Sequence, residues 1–163
     1  MIAMPAGAAP ILLPLVIPIA IWVSWSDAKF MKIPNRAVVA LAAVFLVAGP
    51  VALPLADWGA RWLHLAVVLA LGFLANQAGL LGAGDAKFAA AMAPFFARAD
   101  LGLVLALFAA CILGAFAAHR ILRAIPAVRR ATPDWASWTH RDFPMGLALS
   151  GTLVFYLAAA ILT

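Results

Sequence analysis

Of the 163 residues, 67% are hydrophobic and only 10% charged, and the mean hydropathy is +1.10. A soluble domain carries about 25% charged residues, so this chain cannot coat a globular surface, and its length suits one membrane domain over residues 1–163 with about six spans of roughly 20 residues. The net charge of +5, from eleven Lys and Arg against six Asp, would suit nucleic acid by total alone. The lone cysteine, Cys111, excludes an internal disulfide and a paired-cysteine metal site.

The apolar stretch Ile11 to Val23 follows an amino terminus without Lys or Arg and ends in Ser24-Trp25-Ser26-Asp27. A signal peptide needs a basic start and a small-residue cleavage site; with neither present, the segment reads as a first membrane helix, Ile11–Ser26, bent by Pro14 and Pro18. A second span follows over Ala37–Leu55, closed by Pro50 and Pro54, and a third over Trp62–Leu81. A short fourth covers Ala86–Ala97, a fifth Leu101–Ala118 and a sixth Met145–Thr163. The fold class expected is therefore all-α, a polytopic membrane protein of about six transmembrane helices.

The connecting segments alternate in charge. Lys29, Lys32, Arg36, Lys87, Arg120, Arg123, Arg129, Arg130 and Arg141 fall on one side, and only Arg61 and Arg98 on the other. The positive-inside tendency makes the first set cytoplasmic and turns the amino terminus outward. Topology and anionic lipid thus explain the basic residues, and no nucleic-acid partner is expected. In this orientation Asp27 closes span one and Asp85 opens span four at the same face. From Asp85 to Arg98 a straight helix would rise roughly 20 Å, which sets Asp85 about 10 Å inside a core about 30 Å thick. An ionisable group at that depth points to function.

Two motifs carry those aspartates. In Asp27-Ala-Lys-Phe-Met-Lys-Ile33-Pro34-Asn35, Pro34 keeps Ile33 out of the helical region and Asn35 is a natural cap for the next helix. In Gly82-Ala83-Gly84-Asp85-Ala86-Lys87, the glycines allow a close backbone approach and Asp85 takes the N-cap position. Taken singly, Asp27 is equally an interfacial charge with Lys29 as its solvated partner, and Asp85 equally a helix cap. Lys87 reads either as a carboxylate partner or as a snorkelling anchor. Asn76 and Gln77 either line a site or bridge helices. Asp57, Asp100, Asp134 and Asp142 read as solvated loop charges. His64, His119 and His140 lack ligand spacing and read as interfacial, so no metal or cofactor is expected.

Together the motifs are more specific. An Asp, five residues, Ile-Pro-Asn after a first span, then Gly-x-Gly-Asp-x-Lys, resembles the type IV prepilin peptidases, among the GxGD intramembrane aspartyl proteases. Phe143-Pro144-Met145-Gly146 is similar to a Pro-x-Gly at the family's sixth span. With one Cys and about ten residues before span one, the chain resembles the short, peptidase-only form associated with Flp/tight-adherence pili, and no methyltransferase function carries over. The resemblance implies Asp27 and Asp85 as the catalytic pair, with Gly82, Gly84, Lys87, Ile33, Pro34 and Asn35 shaping the site. One carboxylate takes a proton from water while the protonated other donates to the scissile carbonyl; in a low-dielectric site the two share a proton and titrate as a unit.

The substrate implied is a prepilin, a basic leader followed by a hydrophobic helix, cut at the cytoplasmic side of the bacterial inner membrane. Pilus-assembly proteins are possible partners besides the lipid bilayer. The segment His119 to Phe143, basic and rich in tryptophan, suits the inner membrane face, or contact with substrate or an assembly partner. Two other classes compete: a small proton-coupled transporter using the aspartates as relays, which predicts paired half-helices or a repeat that is not found, and a non-enzymatic membrane subunit in which both aspartates are structural.

Overall fold

The computed structural model describes residues 2–5 and 7–162. Among them all regular structure is helical: α1 Ala8–Phe30, α2 Asn35–Ala52, α3 Leu55–Gln77, α4 Ala83–Met92, α5 Leu101–Ala124, α6 Pro126–Ala131 and α7 Gly146–Leu162. Single 3-10 turns add Ala93–Phe95, Arg98–Asp100 and Ala136–Trp138. The helices α1, α2 and α3, and the run Arg98–Ala124, are long and apolar enough to cross a membrane; α7 is apolar and 17 residues long. The expected end of the sixth span, Thr163, lies outside the described residues.

Several boundaries move, each for a physical reason. Helix α3 begins seven residues before the expected Trp62, directly after Pro54, so Asp57 and Arg61 lie on a helix rather than in an outward loop. They form an i,i+4 ion pair at 2.8 Å, with Arg61 only 3% exposed. Pairing is what lets an arginine be buried there. Helix α5 extends past Ala118 to Ala124 and carries His119, Arg120 and Arg123. Helix α4 stops at Met92, where Pro94 turns the chain into a 3-10 turn. The rise from Asp85 to Arg98 is therefore not that of one straight helix, and the 10 Å depth derived from it does not hold.

Helix α7 is the hub of the packing. Its main neighbour is α1, with α5 on another side and α4 also touching it; α1 also packs on α2, and α3 on α4. Nine of its residues are buried, Leu153, Tyr156 and Leu157 completely. They join Leu12 and Val16 of α1, Phe45 of α2 and Phe88 of α4 in one apolar core. The α2–α3 hairpin closes where the Trp58 indole N–H donates to the Phe45 carbonyl at 3.0 Å. Gly49 leaves the space that this indole fills, since a β-carbon there would overlap it. By contrast α3 and α5 expose leucine, valine and phenylalanine along most of their length, as lipid-facing helices do.

Asp100, expected as a solvated loop charge, is 6% exposed. Its carboxylate accepts the Tyr156 hydroxyl at 2.7 Å and the Ala3 N–H at 2.9 Å, while the same hydroxyl accepts the Ala97 N–H at 3.1 Å. The group thus ties the amino-terminal segment, the start of α5 and α7 together. Tyr156→Phe removes the donor and leaves the carboxylate short of a partner, so we expect a loss of about 1–3 kcal/mol in denaturant unfolding of the micelle-embedded protein. An unchanged midpoint would show that the network carries no stability.

Candidate active site

Asp27 is in the last turn of α1, buried to 5% exposure. The helix ends at Phe30; Met31, its cap, takes a left-handed conformation, φ 52°, and its N–H donates to the Asp27 main-chain carbonyl at 2.8 Å. The Ser26 hydroxyl donates to the Lys32 carbonyl at 2.9 Å and folds the following segment back on the helix. Pro34 is extended and α2 starts at Asn35. The tight turn brings Ile33 back into the core.

The Gly82–Lys87 motif is delivered by the end of α3. Gly79, φ 72°, stops that helix, with its N–H on the Asn76 carbonyl and the Leu80 N–H on the Ala75 carbonyl, both at 2.9 Å. This is a Schellman arrangement, in which a left-handed glycine satisfies the last carbonyls. The Asn76 side chain donates to the Leu81 carbonyl at 2.8 Å and braces the link to α4. Asn76 therefore serves its own loop, and neither it nor Gln77 is among the residues lining the cleft described next.

Asp27 and Asp85, 58 positions apart, line one cleft of about 620 Å³. The two carboxylates are near enough to act on each other electrostatically. The cleft is also walled by Ser26, Met31, Lys32, Ile33, Pro34, Gly82, Ala83 and Gly84, and on one side by Trp22, Trp25 and Phe30 of α1. Of the expected site-shaping residues, Gly82, Gly84, Ile33 and Pro34 come together here. Asn35 and Lys87 do not line it, but bond to each other beside it, Lys87 Nζ donating to Asn35 Oδ1 at 3.3 Å.

Both glycines of the motif are places of close approach. A β-carbon on Gly82 would lie 2.5 Å from Asp85 Oδ2, and one on Gly84 would lie 3.3 Å from the Ile33 β-carbon. The first contact exists because Asp85 is not the N-cap of α4, as expected, but the third residue of the helix; Gly82 is the cap. From there the carboxylate reaches back to the Gly82 N–H, the acidic half of a capping box. Asn35 likewise does not cap α2: it is the first helical residue, and its side chain is taken by Lys87.

Gly146 is the residue that the motif reading undervalued. It opens α7, and its N–H donates to Asp27 Oδ2 at 2.7 Å. A β-carbon there would sit 2.9 Å from the Asp27 β-carbon. The Pro144-Met145-Gly146 signal pointed to this residue but not to its role. Trp22, Trp25, Phe30 and Met31 were also missed; the three-residue spacing of Trp22 and Trp25, one helical face with Asp27 close by, was the available signal.

Lys29, read as a solvated partner of Asp27, instead pairs with Asp134 at 2.7 Å and lies over the rings of Trp25 and Phe30 at 5.6 and 5.4 Å. His119 is buried rather than interfacial, stacked on Trp138 at 5.1 Å. Among the described residues no three His, Cys or Asp side chains come together as a metal site.

The model of the type IV leader peptidase family matches residues 15–119. That span covers most of the chain and includes both aspartates, so the chain belongs to the type IV leader peptidase family: it is a membrane-embedded protein with a peptidase function of the leader-cleaving type. Comparison with curated proteins finds no match, and comparison with solved structures finds none either.

Two outcomes follow from this geometry. Gly146→Ala and Gly82→Ala each push a methyl group into a carboxylate and should cut peptidase activity by about tenfold or more, a positional error of this kind being that costly. Gly114→Ala, where a β-carbon meets nothing within 4 Å, should leave it unchanged; equal activity in all three would refute the role given to the close contacts. The hydrogen bond from Lys29 holds the Asp134 carboxyl below its ordinary 3.8. A depressed folded value means that the pair helps anchor its segment above 3.8 and that this help is lost as pH falls through the lower folded value. Lys29→Gln should return the Asp134 titration, followed by carbon NMR, towards 3.8.

Proposed function

We propose that this protein is an intramembrane aspartyl endopeptidase that removes the basic leader from type IV prepilins of the Flp type, with Asp27 and Asp85 as its catalytic pair. The observation that carries the reading is the convergence of these two carboxylates on one cleft, within the residues that match the leader peptidase family. In this reading residues 1–163 act as a single peptidase domain of the GxGD class in the bacterial inner membrane. The amino terminus faces outward and the cleft faces the cytoplasm, the side on which nine of the eleven basic side chains fall.

The chemistry is general acid–base attack by water. One carboxylate accepts a proton from the water that adds to the scissile carbonyl, and the protonated partner donates to the carbonyl oxygen. The Gly146 N–H orients Asp27, and the Gly82 N–H orients Asp85. Both are main-chain donors fixed at helix starts, so neither carboxylate depends on a mobile side chain for its position. Trp22, Trp25 and Phe30 give the cleft an apolar, partly exposed wall, suited to a substrate whose residues beyond the cut form a hydrophobic helix.

A cleavage assay in detergent or liposomes with an Flp-type prepilin tests the reading. The parent should trim the leader, and Asp27→Asn and Asp85→Asn should each lower the rate by at least about 10²-fold with helical content retained. Parental cleavage by either variant would rule out the two-aspartate mechanism.

A further inference from the structure

A second cleft of about 600 Å³ lies where α5 leaves the apolar region. Arg123, Arg129 and Arg130 line it, together with Trp135 and Trp138. Among the described residues none of the three arginines has a carboxylate partner, and the one acidic side chain in the wall, Asp134, is already paired with Lys29. Trp135 and Trp138 stack at 5.6 Å with their planes 9° apart, and Trp138 is buried, its indole N–H held by the Thr132 carbonyl at 2.9 Å. A stacked, anchored aromatic pair and three guanidinium groups without carboxylate partners therefore share one cleft.

We propose that this cleft binds the phosphate of an anionic phospholipid headgroup. The ligand must carry negative charge to answer three arginines, and guanidinium forks match phosphate oxygens in pairs. It must also sit at the membrane interface. The cleft begins at Arg123, on the last turn of a 24-residue apolar helix, and the side chains beside it, Ile121, Leu122 and Ile125, are exposed and apolar. Acyl chains of a bound phospholipid can cover such apolar surface at the end of α5, which a soluble anion would leave bare. Tryptophan at headgroup depth suits the same boundary. Every residue lining the cleft lies beyond those matched to the family, so the site does not rest on the peptidase reading. The Lys29–Asp134 pair joins it to the helix that carries Asp27.

Native mass spectrometry of the whole protein released from micelles tests this, with phosphatidylglycerol and phosphatidylcholine offered at equal mole fraction. The parent should retain one phosphatidylglycerol in preference to phosphatidylcholine. Arg123→Gln, Arg129→Gln and Arg130→Gln together should lower its affinity by roughly a hundredfold, and each single change by a part of that. A charge-matched control with Arg36, Arg120 and Arg141 changed to Gln should retain the lipid. Equal retention of both lipids, or equal loss in the control, would overturn the site in favour of diffuse charge. Displacement of the lipid by millimolar inorganic phosphate at constant ionic strength would overturn the lipid assignment in favour of a soluble anion. The single variants keep the test decisive should the triple variant fail to fold.

Discussion

In a low-dielectric bundle a buried carboxylate must find donors within reach, and the 2.7 Å hydrogen bond from the Gly146 N–H to Asp27 Oδ2 is where this constraint governs the molecule. The donor is a main-chain group at the first residue of α7, so satisfying Asp27 fixes how the start of α7 meets the end of α1. These two helices form the main interface of the bundle. No other residue type suits position 146, because a β-carbon would meet the carboxylate it serves. Once α7 is seated, its Leu153, Tyr156 and Leu157 complete the core, and its Tyr156 hydroxyl reaches Asp100 towards the other end of the helix.

Main-chain donors also serve two of the other carboxylates. Asp85 takes the Gly82 N–H at the start of α4, and Asp100 takes the Ala3 N–H and a phenol. At Gly146 and Gly82 the donor is an N–H at a helix start, which has no partner in its own helix; at Ala3 it belongs to the segment before α1. The arginine cleft is the exception that this economy exposes: it collects positive charge, and its one acid, Asp134, is committed to Lys29.

The aspartate cleft combines two surfaces with different origins. Its polar floor comes from the turns after α1 and before α4, which interlock where Gly84 meets Ile33. Its apolar wall comes from the side of α1 that presents Trp22, Trp25 and Phe30. Floor and wall share one helix, since Asp27 lies in the α1 turn between Trp25 and Phe30. A shift of α1 would therefore move the carboxylate and the apolar wall as a unit.

Hydropathy by itself determined the membrane class, the helical fold and the order of the elements, because burying a backbone in lipid leaves few choices besides helices. The two aspartate motifs stood out for a related reason: charge is so scarce in this chain that an Asp shortly before Ile-Pro-Asn, or directly after Gly-x-Gly, is conspicuous. Helix limits were less legible, since Asp57, Arg61 and His119 resemble loop residues until a partner neutralises or stacks on them. That partner lies one turn away for Asp57 and Arg61, but 19 positions away for His119 and Trp138. Only the tertiary structure decided that Asp100 is buried, that Lys29 serves Asp134 rather than Asp27, and that Gly146 holds Asp27. Each of these depends on which distant main-chain or side-chain group is brought within about 3 Å, and a linear pattern carries no such distance.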